Sequence, residues 1–254
     1  MTIVASVKVR DGIVLGTDSM TQLSSPTGWV KSYANARKLF QLGDLPIGIM
    51  SYGLGNVGDR SIEGLIRDFR RDKPMEDVSV GDAAHALYDY VRPLYDAELP
   101  NPDPDQHALG FFVAGYSPGG AFAEEFEFLL PSDTAPTENQ PSTTVGTAWR
   151  GIGVPFTSLC RGMSPGVFAE LQALGIPDAD LLAMMDRNGM IIAQDGMPMQ
   201  DAINLATYVL DVTIGWATFQ IGPASCGRPL QIAVVTPDNG WEWVARPKLE
   251  VTQP

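Results

Sequence analysis

Residues 2–9 alternate loosely between apolar and polar positions, with the two-residue period of β-strands, and short apolar runs follow at 13–17, 38–42 and 45–51. Asp11-Gly12 separates the first two apolar runs, and Gly43-Asp44 separates the next two. Both pairs are typical of hairpin turns, because glycine tolerates the positive φ that such turns require. The chain is therefore predicted to open with two consecutive hairpins, whose strands cover residues 2–9, 13–17, 38–42 and 45–51.

Apolar residues recur every three to four positions in the next segments, which predicts helices. The two stripes consist of Ile62, Leu65, Ile66 and Phe69, and of Ala84, Leu87, Tyr88, Val91 and Tyr95. The pattern then predicts strands at 109–116, 121–129 and 143–148, helices within 154–188 and from 198 to 216, and closing strands at 230–236 and 241–245. This order is typical of an α+β fold with two antiparallel sheets packed together and helices outside, a four-layer αββα sandwich. No linker divides the chain, so residues 1–254 are predicted to form a single domain.

Composition narrows the classes of partner, compartment and cofactor. The 254 residues include 17 basic and 30 acidic side chains, giving a net charge of −13. Such a surface repels nucleic acid and anionic membranes, so neither is an expected partner. No apolar run reaches the roughly 18 residues of a membrane span, and residues 1–20 lack a signal peptide, which predicts a cytoplasmic protein. Two cysteines and two histidines are too few to predict a metal site, and no cofactor is expected.

A glycine motif, G-L-G-N-V-G at 53–58, follows a predicted strand and precedes a predicted helix. This is the local setting of a dinucleotide-binding loop, in which glycines let a pyrophosphate approach a helix N-terminus. The rest of that unit is missing, because no second strand ending in an acidic residue follows. The motif is more consistent with a loop that passes close to another group, which could be a substrate.

Thr2 stands directly behind Met1 and has two interpretations. Methionine is readily removed before a small residue, which would leave threonine at the N-terminus. An N-terminal threonine combines nucleophile and base, since Oγ attacks a carbonyl while the α-amine, with a pKa near ~8, accepts the proton. The alternative is an ordinary strand residue, which position alone favours.

Lys38 and Asp18 support the nucleophile only if both lie near Thr2. A buried lysine would lower the pKa of the threonine groups through its charge, and an aspartate would orient that lysine. If Asp11-Gly12 is a two-residue turn, Thr2 faces Thr21 and Asp18 faces Ala5, on the opposite side of the sheet. Asp18 then needs a bulge or a strand end to turn toward Thr2.

The opening T-I-V-A-S-V-K-V-R-D-G-I-V-L-G-T-D-S (2–19) resembles the start of mature proteasome β-subunits and of the related bacterial two-component protease. The resemblance continues at 28–30 (G-W-V), 37–39 (R-K-L), 48–53 (G-I-M-S-Y-G), 112–116, 145–147 and 226–241. Those proteins are N-terminal nucleophile (Ntn) hydrolases with the αββα sandwich, so the resemblance implies this fold. It also implies that residues 154–190 insert about a helical pair.

The resemblance implies roles for particular residues. Thr2 matches the nucleophile, Lys38 the lysine beside it, and Asp18 the aspartate that orients this lysine. The backbone N–H of Gly53, or of Tyr52, matches the donor to the oxyanion. The other matches are Thr147 for one serine hydroxyl, Ser225 or Cys226 for a second serine, and Thr21 and Met50 for the substrate pocket, with Met50 favouring an apolar substrate side chain.

The implied activity is that of a threonine-type endopeptidase acting on polypeptides, without metal or cofactor. The resemblance further implies a homo-oligomeric ring and an unfolding ATPase as a partner. Two alternatives stay open at the level of sequence. One is an amidohydrolase of the same fold that cleaves a small amide, and the other is a catalytically inactive assembly subunit.

Overall fold

The computed structural model describes residues 2–24 and 30–247. Its strands are β1 (Ile3–Val9), β2 (Gly12–Thr17), β3 (Thr21–Ser24), β4 (Val30–Tyr33), β5 (Leu39–Gln41), β6 (Ile47–Gly53), β7 (Asn56–Val57), β8 (Arg60–Ser61), β9 (Leu109–Gly115), β10 (Glu124–Leu130), β11 (Thr137–Glu138), β12 (Gly146–Gly151), β13 (Gln231–Thr236) and β14 (Gly240–Ala245). Its helices are α1 (Ile62–Asp72), α2 (Val80–Glu98), α3 (Val154–Arg161), α4 (Pro165–Ala173), α5 (Asp178–Asn188) and α6 (Met199–Thr218).

The longer strands form two five-stranded antiparallel sheets. The first sheet has the order β12-β1-β2-β13-β14, and the second has the order β11-β10-β9-β6-β5. β3 pairs with β4 and β7 pairs with β8 in two small hairpins. The predicted α+β class with antiparallel sheets is confirmed.

Apolar side chains on both sides of each sheet build the core. One cluster joins the first sheet to α3 and α6, and a second joins the second sheet to α1 and α2. A third cluster lies between the sheets and includes Leu15 of β2 and Phe112 of β9, both fully or almost fully buried. Burial of each such side chain stabilises the fold by roughly 1.5–3 kcal/mol. Because both sheets have apolar residues on both faces, each needs a partner layer on either side.

The first hairpin is confirmed, but its turn and register differ from the prediction. Val9 pairs with Gly12, so Arg10 and Asp11 form the turn. Gly12 lies inside β2, where a Cβ atom would come within 2.7 Å of the Val235 carbonyl oxygen in β13. Glycine is therefore required at position 12 for close packing against β13 and not for the turn.

The observed register moves Asp18 to the end of the ladder. Asp18 follows the last residue of β2, and its backbone N–H donates to the Ile3 carbonyl oxygen at 3.3 Å. The predicted pairings of Asp18 with Ala5 and of Thr2 with Thr21 are wrong, because the turn lies one residue earlier than predicted. The strand end that the prediction required is present, and it lets the Asp18 side chain turn toward Thr2.

Most other predicted elements are confirmed, with several differences in their bounds and number. The second hairpin (β5 and β6, with Gly43 at φ 60°) and helices α1 and α2 occur as predicted. The hairpin of β3 and β4 is not predicted by the pattern, since its strands are short and polar. The segment 154–190 holds three helices and not a pair, and β12 starts three residues later than predicted. Met1 and residues 28–29 of the G-W-V stretch lie outside the described residues.

No helix in residues 2–24 and 30–247 combines the length and apolar character needed to cross a membrane. The compartment of the protein stays a prediction.

A buried polar cluster joins β1 to β10. Glu125 is fully buried; Ser6 Oγ donates to its Oε1 at 2.6 Å, and Asn139 Nδ2 donates to its Oε2 at 3.3 Å. Lys8 Nζ lies 3.7 Å from Oε2 and donates to the Pro141 carbonyl oxygen at 3.0 Å. Burial raises the pKa of Glu125, while Ser6 and Lys8 oppose the shift. The folded protein therefore holds a proton on Glu125 more tightly than the unfolded chain does.

Glu125→Gln is expected to remove a loss of stability that the wild type undergoes as pH rises. The stabilising contribution of protonated Glu125 is complete below its ordinary pKa of 4.5 and is lost as pH rises through the raised folded-state value. Urea unfolding over a pH series should show the wild type losing free energy of unfolding relative to Glu125→Gln above pH 4.5. The matched control is Glu124→Gln at the neighbouring position of β10. A wild-type-to-variant difference that is constant with pH would contradict the prediction.

Candidate active site

Thr2, Lys38 and Asp18 meet in a continuous chain of hydrogen bonds. Lys38 Nζ donates to Thr2 Oγ1 at 2.8 Å and to Asp18 Oδ1 at 2.7 Å. All three side chains are buried, with exposed fractions of 4% for Thr2, 6% for Lys38 and 0% for Asp18. The structure thus brings together three residues that are 16 and 20 positions apart in sequence.

Asp18 is held by backbone N–H groups from three parts of the chain. Its Oδ1 accepts from Ile3 N at 3.2 Å, and its Oδ2 accepts from Met20 N and from Gly227 N, both at 3.0 Å. Asp18 is therefore fixed as an acceptor on the first sheet, aimed at Lys38.

Lys38 directly precedes β5 on the edge of the second sheet. An ammonium group has three N–H donors, and each finds an acceptor here: Thr2 Oγ1, Asp18 Oδ1 and the Met20 carbonyl oxygen. Burial lowers the pKa of Lys38, and the Asp18 carboxylate opposes this shift. The result is a desolvated lysine, close to a threonine hydroxyl, whose pKa lies below that of a surface lysine.

A cavity of about 600 Å³ opens beside this chain of side chains. It is lined by Thr2, Thr21 and residues 33–38, 51–56, 58–59 and 61–63. Arg37 Nη1 and Glu63 Oε1 form an ion pair of 3.1 Å that joins two of the lining segments. The Thr2 hydroxyl therefore faces a space in which a substrate carbonyl could be placed.

The glycine motif at 53–58 forms part of this cavity and no dinucleotide-binding unit. The motif contains β7, whereas β8 and α1 follow it, and none of the described strands pairs in the parallel arrangement of that unit. Gly53 has a φ of 91°, and a Cβ atom there would come within 2.1 Å of the Ala108 carbonyl oxygen. A Cβ atom on Gly55 would lie 2.5 Å from Thr21 Oγ1. Glycine is required because the loop passes close to β9 and to the cavity wall.

Two predicted site residues are not brought to the cavity. Thr147 pairs with Val7, whereas Gly151 of the same strand lies opposite Ile3 beside Thr2. Four positions along a strand correspond to roughly 13 Å, so Thr147 is too distant. Met50 is fully buried in the cluster between the sheets and does not line the cavity. The apolar substrate preference inferred from Met50 is therefore removed.

Three other predicted residues lie at or near the site. Thr21 lines the cavity. Ser225 and Cys226 are buried next to Gly227, the residue that donates to Asp18. Cys226 Sγ donates to the Thr213 carbonyl oxygen at 3.8 Å, and burial raises the pKa of the thiol to about 12. Among the described residues, no hydrogen bond joins Ser225 or Cys226 to the side chains of Thr2, Lys38 or Asp18.

Sequence reasoning missed groups that support Thr2 and Lys38. Gly151 has a φ of 85°, and a Cβ atom there would lie 1.9 Å from the Thr2 carbonyl oxygen. Ile152 N donates to the same oxygen at 2.8 Å. Ser51, 3% exposed, lines the cavity where Met50 was expected. The G-I-G pattern at 151–153 indicates close packing. The Met20 carbonyl oxygen, in contrast, is a backbone group that every residue type carries, so no residue pattern predicts that it accepts from Lys38.

Comparison with known proteins gives a fold but no sequence family. No protein-family model matches this chain, and no curated protein matches it. The solved structure of Anbu (ancestral beta-subunit) from Yersinia bercovieri is similar with a TM-score of 0.61, at 14% identity, over 95% of this chain and 86% of that chain. A mutant of Anbu from Hyphomicrobium sp. strain MC1 gives a TM-score of 0.59 at 15% identity, over 96% of this chain and 88% of that chain.

These neighbours correct the family assignment. The resemblance at 2–19 implied the proteasome β-subunit-like Ntn hydrolase family, but the similar structures are Anbu proteins, which are proteasome-like and form a distinct family. That assignment is wrong. Identities of 14–15% establish a shared fold and not a shared reaction. The chain is therefore similar in fold to the proteasome-like Anbu proteins.

Proposed function

We propose that this protein hydrolyses amide bonds with Thr2 as an N-terminal nucleophile, and that its substrates are polypeptides. The observation that carries the proposal is the buried chain Thr2 Oγ1, Lys38 Nζ and Asp18 Oδ1, with separations of 2.8 and 2.7 Å, at the wall of a cavity. A desolvated lysine beside a hydroxyl is a recurrent means of activating a weak nucleophile. No metal or cofactor takes part in the proposed reaction.

The proposed reaction begins after removal of Met1. Thr2 Oγ attacks the scissile carbonyl carbon, and the Oγ proton passes to the free α-amine of Thr2, directly or through water. Lys38 stabilises the developing negative charge on Oγ, and Asp18 keeps Lys38 oriented. The α-amine then gives the proton to the leaving amine, which leaves an ester on Thr2. Water hydrolyses this ester and restores the hydroxyl.

The oxyanion of the tetrahedral intermediate is assigned in this proposal to the Gly53 N–H. Amide groups alternate sides along a strand. Ser51 N donates to the Lys38 carbonyl oxygen at 3.0 Å, toward β5, and Leu54 N donates to Ala108 at 2.9 Å, toward β9. Gly53 N therefore faces the β5 side, past Lys38 and into the cavity, whereas Tyr52 N faces β9. This alternation favours Gly53 over Tyr52 as the donor.

The experiment is covalent labelling of protein whose first residue has been removed. An alkyl β-lactone is opened by a hydroxyl nucleophile, so intact-mass analysis should show one added lactone, and peptide mapping should place it on Thr2. Protein that lacks Met1, stays folded and gains no lactone would refute the proposal. Incubation with an unstructured protein separates the alternatives. If that protein is cut into many peptides, the enzyme is an endopeptidase; if Thr2 is labelled by the lactone but no peptides form, a small-amide hydrolase is supported. If neither labelling nor cleavage occurs, an inactive subunit is supported.

Lys38→Met is expected to slow the labelling by roughly 10²–10⁴-fold, because it removes the group that tunes the nucleophile. The rate of mass gain at fixed lactone concentration measures the effect. Lys31→Met on β4 is the matched control, since Lys31 does not line the cavity. Equal labelling rates for Lys38→Met and wild type would contradict the assigned role.

We extend the proposal to the architecture and assembly. The three apolar clusters support a four-layer αββα sandwich made by one domain, with α3–α5 as an insertion at 154–190. Most exposed large apolar side chains lie between Val154 and Ile221. Such a concentration is typical of an interaction surface and supports a homo-oligomer, which we propose to be a ring. The unfolding ATPase stays a prediction from the resemblance. Light scattering on purified protein would test the oligomer.

A further inference from the structure

We propose that Gln231 is a positioning residue that sets the distance between Thr2 and Lys38. This inference rests on the proposed function and adds to it a residue from the last fifth of the chain. Gln231 begins β13, within the otherwise apolar stretch L-Q-I-A-V-V-T, and its exposed fraction is 1%. A glutamine is rarely buried unless its amide is hydrogen-bonded, so its partners are informative.

The Gln231 side chain binds the backbone on both sides of Lys38. Its Oε1 accepts from Lys38 N at 3.1 Å and from Leu39 N at 3.3 Å. Its Nε2 donates to the Ala36 carbonyl oxygen at 3.0 Å. Lys38 precedes β5, the edge strand of the second sheet, which pairs with β6 on one side and with no described strand on the other. Gln231 supplies the hydrogen bonds that such a strand would otherwise make.

The same amide also binds the segment that carries Asp18. Nε2 donates to Ser19 Oγ at 2.7 Å and approaches the Asp18 carbonyl oxygen at 3.5 Å. Asp18 follows β2 of the first sheet, whereas Lys38 belongs to the second sheet. Gln231 therefore joins the backbones of the two residues whose side chains form the ion pair across the sheets.

This link matters because the proposed reaction depends on the separation of Thr2 Oγ1 and Lys38 Nζ. The Thr2 carbonyl oxygen is held by the N–H of Ile152, directly after β12, and the Lys38 backbone is held by Gln231. A misplacement of about 1 Å can slow a reaction by roughly 10²-fold. Loss of Gln231 is therefore expected to reduce the reactivity of Thr2, although Gln231 does not line the cavity.

The test compares three proteins whose first residue has been removed: wild type, Gln231→Met and Gln231→Glu. Gln231→Met keeps the length of the side chain without hydrogen bonds, and the maximal rate of alkyl β-lactone labelling is expected to fall by roughly 10²-fold. Gln231→Glu keeps an acceptor for Lys38 N and adds negative charge. Its labelling rate is expected to lie between those of wild type and Gln231→Met. Its pH profile of labelling is expected to move to higher pH, because a nearby negative charge raises the pKa of a lysine.

The matched control is Gln41→Met. Gln41 lies on β5, is half-buried and donates to the Leu45 carbonyl oxygen at 3.2 Å, at the far end of the strand from Lys38. Its labelling rate and pH profile should equal those of wild type. If Gln231→Met does not fold, Gln231→Asn, which is polar but too short to span the same partners, takes its place.

The outcomes separate the two proposals. Wild type that folds, lacks Met1 and gains no lactone refutes the proposed function. The role of Gln231 is overturned if wild type reacts and the Gln231 variants differ from it only in thermal stability. In that case the labelling rate per folded molecule and the pH profile stay unchanged. A lower rate with a displaced profile in Gln231→Glu, and no change in Gln41→Met, supports it.

Discussion

Thr2→Ala is expected to abolish lactone labelling and amide hydrolysis while the fold stays intact. The hydroxyl is the only group that forms the proposed ester, and removal of a catalytic nucleophile lowers rates by roughly 10⁴–10⁶-fold. After the change, Lys38 keeps Asp18 and the Met20 carbonyl oxygen as hydrogen-bond acceptors. The cost in stability should therefore be only about 1 kcal/mol, the value of one lost hydrogen bond.

Two variants make this prediction specific. Thr2→Ser keeps a hydroxyl and should retain labelling, whereas Thr21→Ala removes another threonine from the cavity wall and should leave labelling at Thr2 in place. Intact mass and peptide mapping measure the labelled fraction, and thermal unfolding confirms that each variant is folded. Labelling of Thr2→Ala at the wild-type rate would show that the nucleophile lies elsewhere.

Asp18→Asn is expected to be the most destabilising of these single changes. Both carboxylate oxygens accept hydrogen bonds from N–H donors: Oδ1 from Ile3 N and Lys38 Nζ, and Oδ2 from Met20 N and Gly227 N. An asparagine must turn its NH₂ group toward one of these donor pairs, so that pair loses its acceptor. Lys38 also loses its charged partner, and removal of one member of a buried ion pair costs about 3–5 kcal/mol.

Urea unfolding measures this loss, and Asp44→Asn provides the control. Asp44 lies in the exposed turn between β5 and β6, where the same change in charge should alter the free energy of unfolding by less than about 0.5 kcal/mol. Asp18→Asn should also lose most lactone labelling, since Lys38 is no longer oriented. Equal stability of the two variants would show that the hydrogen bonds to Asp18 contribute little.

The sequence pattern predicted helices and hairpins well because their rules are local. The apolar stripe from Ile62 to Phe69 follows the helical period, and these residues are the buried face of α1. Gly43 has the positive φ that its turn signal predicts. The register of the first hairpin failed because Gly12 met the same local rule but is required for close packing against β13, a strand more than 200 residues away in sequence.

The predicted site residues also divide into those that the structure brings together and those that it keeps apart. The resemblance to proteasome β-subunits implied a common site for Thr2, Asp18 and Lys38, and the structure brings these side chains together. Met50 and Thr147 were placed by sequence similarity alone, where an error of one residue reverses the face of a strand and an error of four moves a side chain by roughly 13 Å. Those distances depend on strand register, which no local motif specifies.

The sequence by itself determined the α+β class and the antiparallel strands. These follow from periodicity and residue type, which are properties of neighbouring positions, whereas a common site for Thr2, Asp18 and Lys38 was implied only by the resemblance to proteasome β-subunits. Only the tertiary structure decided that Asp18 turns past the end of β2, that Lys38 crosses from one sheet to the other, and that Gln231 joins their backbones. The physical reason is that these hydrogen bonds join segments that are distant in sequence, 193 positions apart where Gln231 of the first sheet binds Lys38 N of the second.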